Sequence, residues 1–277
     1  MDVLPAPVQQ IFAANRARGR IALTVRAVDG TTRRAQVREQ GPLRVRCPGA
    51  VSGELDAVIV NTAGGVAGGD ELTIEVSVEP RAHLTLTTTA AEKIYRSLGA
   101  PAAIDLQLNV GAGGFLAWLP QETILFDRAR LDRTIDVELA DDARLVLAEA
   151  LVFGRSGMGE VVASGRVRDR WRIRRGGRLL HAEAMRLEGE IATRLAQGAV
   201  ANGAVAIATI LIVPADESAA AGVRALAPRL RGEAAASAWK GMMTARLCAK
   251  DGAALRHDLV AILSALGGLR LPRLWLN

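Results

Sequence analysis

Groups that bind metals or attack substrates are scarce in this chain. Its only cysteines, Cys47 and Cys248, lie far apart and give neither a disulfide framework nor a CxxC pair for zinc or redox work. Its three histidines, His83, His181 and His257, form no HxH or HExxH spacing. A dedicated high-affinity transition-metal site is expected to cluster imidazole or thiolate ligands. No G-x-S-x-G elbow is present, and "GRSGMGE" holds its serine in the wrong frame. Lysine is nearly absent: Lys93, Lys240 and Lys250 are the only ones, so the net charge of +6 is carried by arginine. Guanidinium groups pair bidentately with carboxylates, so acidic protein partners suit this charge as well as nucleic acid does. No apolar run reaches the roughly 20 residues of a spanning helix; the most apolar stretch is "GAVAIATILIV", Gly203 to Val213. The opening "MDVLPAPVQQIFAANRARGR" lacks a basic region followed by an apolar one and does not read as a secretory leader. The expectation is a cytoplasmic protein with no membrane partner.

What is abundant is aliphatic. Half of the 277 residues are hydrophobic and only 3% are aromatic, so a sizeable core must be built from Val, Leu, Ile and Ala. Alternation dominates the first two-thirds. In "ELTIEVSVEP", Leu72, Ile74, Val76 and Val78 share one face; Ile104, Leu106, Leu108 and Val110 repeat the pattern, as do Ile135, Val137 and Leu139. Gly- or Pro-bearing links such as "VEPRA" and "VGAGG" join these runs without a long amphipathic helix. That argues against βαβ units and for an extended antiparallel or solenoid-like β body. Helical periodicity comes late: "PADESAAAGVRALAPRLRG" predicts a helix that Pro228 kinks or ends early, and "AALRHDLVAILSALGG" predicts one with Leu255, Leu259, Ile262 and Leu266 on one face. "MMTARLCA" reads as a strand between them. The expected fold is mainly β: an elongated, layered, β-helix-like body of many short strands over 1–213. A smaller C-terminal α+β portion over 214–277, with about two helices, packs on it or continues it as one domain.

"NTAGGVAGGDEL" places Gly64, Gly65, Gly68 and Gly69 before Asp70 and Glu71. A phosphate loop needs GxxxxGK[ST] leading into a helix, whose amides and positive end receive the anion. Here two carboxylates stand where phosphate would bind, and a strand follows. The glycines instead fit a tight crossover that needs positive φ or close backbone approach, exposed enough to serve a partner.

Three carboxylates sit inside apolar or mixed runs: Glu149 in "LVLAEALVFG", Glu183 in "LLHAEAMRL", and Glu92 in "TTTAAEKIYRS". An ionised carboxylate among aliphatic residues is costly unless paired, hydrated or bound to a cation. Ion pairing with the many arginines is one reading; a hydrated path with loosely ligating oxygens is the other. His181 and Glu183 face the same way in a strand. "GRVRDRWRIRR" makes a ladder of Arg166, Arg168, Arg170, Arg172 and Arg174, with Trp171 on the opposite face. Such a ladder could bind RNA phosphates or act as a general protein-interaction face, but no interleaved exposed aromatics suggest base stacking.

Taken together, "NTAGGVAGGDELTIEV", "TTTAAEKIYRS", "WLPQETILFDRARL", "EALVFGRSGMGE" and the terminal "LPRLWLN" occur in the order found in the UreD family of urease accessory proteins, called UreH in some lineages. The resemblance runs from about residue 20 to the C-terminus. It implies a non-enzymatic maturation scaffold that binds urease apoprotein and the UreF and UreG accessory proteins, with no tightly bound cofactor and nickel(II) in transit through an internal acidic tunnel. By motif match it places Asp70 first on that path, then Glu149 and Glu183, with Glu92 at a less constant position. The docking segments it implies are the glycine loop (Gly64, Gly65, Gly68, Gly69), the stretch with Tyr95 and Arg96, and "FGRSGMGE" with Arg155 and Glu160. Each of these could equally hold the fold together through turns and ion pairs.

Overall fold

The computed structural model describes residues 15–51 and 53–276. Most of the opening segment read above as lacking a leader (1–14), and Asn277 of the terminal motif, lie outside the described residues.

The alternating runs form two facing sheets. Seven strands make the first: β1 (Arg18–Val28), β2 (Thr31–Gln40), β5 (Glu71–Val78), β8 (Ala102–Val110), β11 (Arg130–Leu139), β13 (Ser164–Arg175) and β14 (Arg178–Glu190), in the order β14-β13-β11-β8-β5-β1-β2. The second holds β3 (Leu43–Val51), β4 (Glu54–Asn61), β6 (His83–Thr88), β9 (Phe115–Leu119), β12 (Arg144–Phe153), β15 (Ala206–Val213), β16 (Glu233–Trp239) and β17 (Met242–Ala249), with the short β10 (Thr123–Leu125) paired to β12 and β7 (Glu92–Ile94) paired to β10. Within each sheet the central strands are parallel: β1, β5, β8, β11 and β13 in one, β4, β6, β9 and β12 in the other. Parallel neighbours need a long crossover, and here the chain crosses over through strands of the opposite sheet instead of a helix. The body is therefore a solenoid, the second of the two β alternatives that the alternation left open. Antiparallel pairs close both ends, β1 with β2 and β3 with β4 at one, β13 with β14 and β12-β15-β17-β16 at the other.

Register stacks like residues into rows between the sheets. Ile21, Ile74, Leu106, Ile135 and Trp171 are successive cross-strand partners and all are buried. Burying each aliphatic side chain of such a row contributes roughly 1.5–3 kcal/mol. β12 is covered on both faces. Leu145, Leu147 and Leu151 point between the sheets, while Val146, Ala148 and Ala150 point to a second core under the helices. Double coverage explains why its sequence is a continuous apolar run.

Three α-helices are present among the described residues: α1 (Ile191–Leu195), α2 (Glu217–Ala225) and α3 (Gly252–Ala265). The five-residue α1 was not foreseen. α2 starts under Asp216, whose carboxylate accepts from the Ala219 N–H, and stops ahead of Pro228, where residues Ala227–Arg229 tighten into a 3-10 turn. α3 is capped by Asp251 and buries Leu255, Leu259 and Ile262 against the second sheet. β16 and β17 extend the sheet that contains β15, so the strands of 214–277 share a sheet with the body. No described helix is long and apolar enough to cross a membrane.

Candidate functional site

Each return from the second sheet to the first runs over the same edge of the solenoid. The loops at 62–70, 95–101, 126–129 and 154–163 stack there in chain order. Backbone bonds join each to the next: Val66 N–H to Lys93 O at 2.7 Å, Tyr95 N–H to Val66 O at 2.9 Å, Ser97 N–H to Arg128 O at 3.0 Å, and Arg128 N–H to Ser164 O at 2.9 Å. Side chains repeat the pattern. The Tyr95 hydroxyl donates to Gly64 O at 2.9 Å, and its ring meets Phe126 edge-on at 5.1 Å. The Arg155 guanidinium covers the other ring, 4.2 Å from the Phe126 centroid, and donates to Glu160 at 2.7 Å. Glu160 also accepts from the Asp127 N–H at 3.3 Å, and the Arg155 bond holds its carboxyl below the usual range.

The glycines are required by this stacking. Gly64 and Gly69 have φ of +75° and +88°. A Cβ on Gly65 would stand 2.5 Å from the Tyr95 ring, and one on Gly68 would stand 2.1 Å from Ser97 Oγ. Asp70 is buried beneath them, accepting from Ala17 N–H at 2.8 Å and Ala67 N–H at 2.7 Å. Gly64, Gly65, Gly68, Gly69, Tyr95, Arg96, Arg155 and Glu160, which span about a hundred residues of sequence, thus share one edge. Sequence reasoning missed what else lies on these loops: Leu98, Met158 and Val161 are 64%, 74% and 66% exposed. Lys93 and Arg96, in the neighbouring segment 93–96, are exposed as well.

The other carboxylates are distributed, not assembled. Glu92, half-buried at the start of β7, accepts from Asn61 Nδ2 at 3.1 and 3.2 Å. Burial pushes its carboxyl above the usual range, opposed by the Asn61 bond and by Lys93. Glu149 is buried between the sheets, accepts from Trp118 Nε1 at 2.7 Å, and is bound by Arg133. The same guanidinium forks onto Asp169, with Nε to Oδ1 at 3.1 Å and Nη2 to Oδ2 at 2.6 Å, and Trp171 Nε1 completes Asp169 at 3.1 Å. Burial raises the Glu149 carboxyl despite Arg133, with nearby Asp169 adding to the rise. For Arg133, burial opposes the charge, but Asp169 and Glu149 outweigh it and keep the guanidinium protonated.

Glu183 lies where the two sheets end. It accepts from Arg246 Nη2 at 3.0 Å, lies 3.4 Å from His181 Nε2, and is within 3.4 Å of Thr209 Oγ1. Burial pushes its carboxyl up, but His181 and Arg246 outweigh it and hold it below the usual range. Among the described residues, no three or more His, Cys, Asp or Glu converge as a metal-binding group. Arg133 and Asp169 were not singled out from sequence as site residues. The signal was present, because alternation in "RLDRTIDVEL" puts Arg133 on the face of Leu131 and Ile135.

The arginine ladder points outward as its alternation requires, with Trp171 buried behind it. Arg166 pairs with Asp132 at 2.5 Å, Arg168 with Glu188 at 3.6 Å and Arg174 with Glu138 at 3.2 Å. Arg170 and Arg172 face solvent.

Comparison with known proteins finds relatives along nearly the whole chain. The family model described as UreD urease accessory protein matches residues 17–276. A urease accessory protein UreD of Rhodopseudomonas palustris (strain BisB18) is 53% identical over 277 residues, 100% of both chains. Another, from Rhodopseudomonas palustris (strain ATCC BAA-98 / CGA009), is 55% identical over 268 residues, covering 97% of this chain and 96% of the relative. Urease accessory protein UreD 3 of Bradyrhizobium sp. (strain BTAi1 / ATCC BAA-1182) is 53% identical over 267 residues, 96% of each chain.

Proposed function

The chain belongs to the UreD family of urease accessory proteins, and on that footing we propose that it is a non-enzymatic chaperone of urease maturation in the cytoplasm. It binds urease apoprotein and the UreF and UreG accessory proteins, and helps deliver nickel to the urease active site. The observation that carries this reading is the stacked crossover edge. Residues chosen from sequence as docking candidates converge there with exposed Leu98, Met158 and Val161. Apolar side chains presented on a rigid, hydrogen-bonded edge with cations beside them suit a protein partner.

Nickel(II) is the cargo, and the carboxylates Asp70, Glu92, Glu149 and Glu183 are its proposed contacts. Each is engaged with a group of this chain: backbone N–H for Asp70, Asn61 for Glu92, Arg133 for Glu149, Arg246 for Glu183. Passage therefore requires the ion to compete for bonds already made, which keeps its residence short. Nucleic-acid binding by the Arg166–Arg174 face has less support, since three of its five arginines are paired within the chain and its tryptophan is buried.

Deleting the chain should leave urease translated but nickel-poor in cells grown in limiting nickel. Fully metallated, active urease from that strain would refute the assignment. Glu149→Ala and Glu183→Ala should lower nickel loading while the accessory complex still assembles. Loss of assembly in both would assign those residues to structure alone.

A further inference from the structure

We infer that Arg133 is a tethered counter-cation that keeps Glu149 and Asp169 from capturing a divalent metal ion. The geometry is that of an occupied bridging position. One guanidinium, 5% exposed, lies between two carboxylates contributed by different sheets, bonded to Glu149 on β12 and forked onto Asp169 on β13. The oxygens turned toward it are Glu149 Oε2 and both oxygens of Asp169; the remaining Glu149 oxygen is taken by the Trp118 indole, and Asp169 Oδ1 is shared with Trp171. Each of the four carboxylate oxygens that could ligate an ion thus already accepts from a donor of the chain itself.

Charge and dielectric sharpen the argument. The trio carries one positive and two negative charges in a buried space between sheets, where an uncompensated carboxylate is costly. Removing the arginine would leave two buried carboxylates facing each other. An oxygen-ligated divalent cation would then compensate both charges at once, in competition with the proton that two facing buried carboxylates take up. A guanidinium suits the plug because it stays protonated when buried, its fork takes both oxygens of Asp169 and its remaining Nη reaches Glu149; a lysine ammonium lacks that planar fork and loses its proton more readily when buried. For a chain that hands metal on, a buried two-carboxylate trap on the route is a hazard that Arg133 removes. This purpose rests on the transit reading above, whereas the binding consequence does not.

The test is Ni2+ binding to the purified full-length chain, measured by equilibrium dialysis for wild type, Arg133→Met and Arg133→Met/Glu149→Gln. Arg133→Met should gain one equivalent of Ni2+ held about tenfold or more tighter than any site of the wild type, and the second substitution should remove it. A folded Arg133→Met that gains no Ni2+, or a gain that survives Glu149→Gln, overturns the inference. If Arg133→Met does not fold alone, Ni2+ added during refolding should restore its near-UV circular dichroism; refolding indifferent to Ni2+ overturns it equally. A merely structural ion pair predicts lost stability but no metal gain. Failure of the transit reading is separable: urease from cells carrying Glu149→Gln would hold its full nickel, while Arg133→Met would still capture Ni2+ in the purified chain.

Discussion

Tyr95 bonds through its hydroxyl to Gly64 O at 2.9 Å, and its ring lies 2.5 Å from where a Cβ on Gly65 would stand. Two adjacent glycines therefore serve one tyrosine in different ways. Gly65→Ala must push the ring aside or move the loop, and its φ of +153° is one that L side chains rarely adopt. It should cost about 1–3 kcal/mol. Gly64 has φ +75° with nothing within 4 Å of a Cβ, so Gly64→Ala should cost only the left-handed penalty of about 1 kcal/mol. Denaturant unfolding of the two variants checks the order. If the tyrosine positions the edge for a partner, Gly65→Ala should also weaken capture of UreF more than Gly64→Ala does.

Asp70 provides a second test, because it is claimed by both structure and transport. Its carboxylate takes two backbone N–H groups in a buried position. Asp70→Ala leaves both donors unmet and should destabilise by about 1–3 kcal/mol. A variant that unfolds at the wild-type denaturant midpoint, yet delivers less nickel, would place Asp70 in transport and not in loop closure.

How much of this was legible beforehand follows from what alternation can and cannot say. A period of two assigned Leu72, Ile74, Val76 and Val78 to one buried face, because that depends only on the strand itself. It could not say whether neighbouring strands run parallel, since that is decided by where the chain goes between them. Pro228 and the glycine pair after Leu266 marked helix ends through local backbone sterics. Gathering the eight edge residues required the solenoid's repeat, which spaces the loops by whole turns and leaves no strict sequence repeat. Glu149 was suspect as a charge in an apolar run. Its partner Arg133 escaped notice because arginines abound here, and only its parity with Leu131 and Ile135 marked it as inward.

Glu92 and Glu183 should respond to pH in opposite senses. Glu92 is raised above the ordinary value of 4.5, mainly by burial. Its contribution to stability is fully present below the unfolded value and lost as pH rises through the folded one. Glu92→Gln should therefore gain thermal stability relative to wild type as pH rises from the acid range to neutral, with little difference at the acid end. Glu183 is lowered, so its contribution is present above the unfolded value and lost as pH falls through the folded one. Glu183→Gln should lose stability at neutral pH and converge on wild type in acid. Thermal melts across that range decide both, and parallel curves would contradict the assigned environments.

Leu98, Met158 and Val161 separate docking from folding most cleanly, because they project from the edge and bury little in the free chain. Charged replacements at such positions change stability by no more than about 0.5 kcal/mol, whereas a lysine placed in the apolar centre of an interface removes a contact and leaves a charge to desolvate. Leu98→Lys/Met158→Lys should thus melt with the wild type and retain its circular dichroism. It should also fail to capture UreF or urease apoprotein, and leave urease nickel-poor in cells. Arg170→Glu/Arg172→Glu, on the outer sheet face away from this edge, is the control and should assemble normally. Normal assembly by the lysine pair, with loss in the glutamate pair, would move the docking surface from the crossover edge to the arginine ladder.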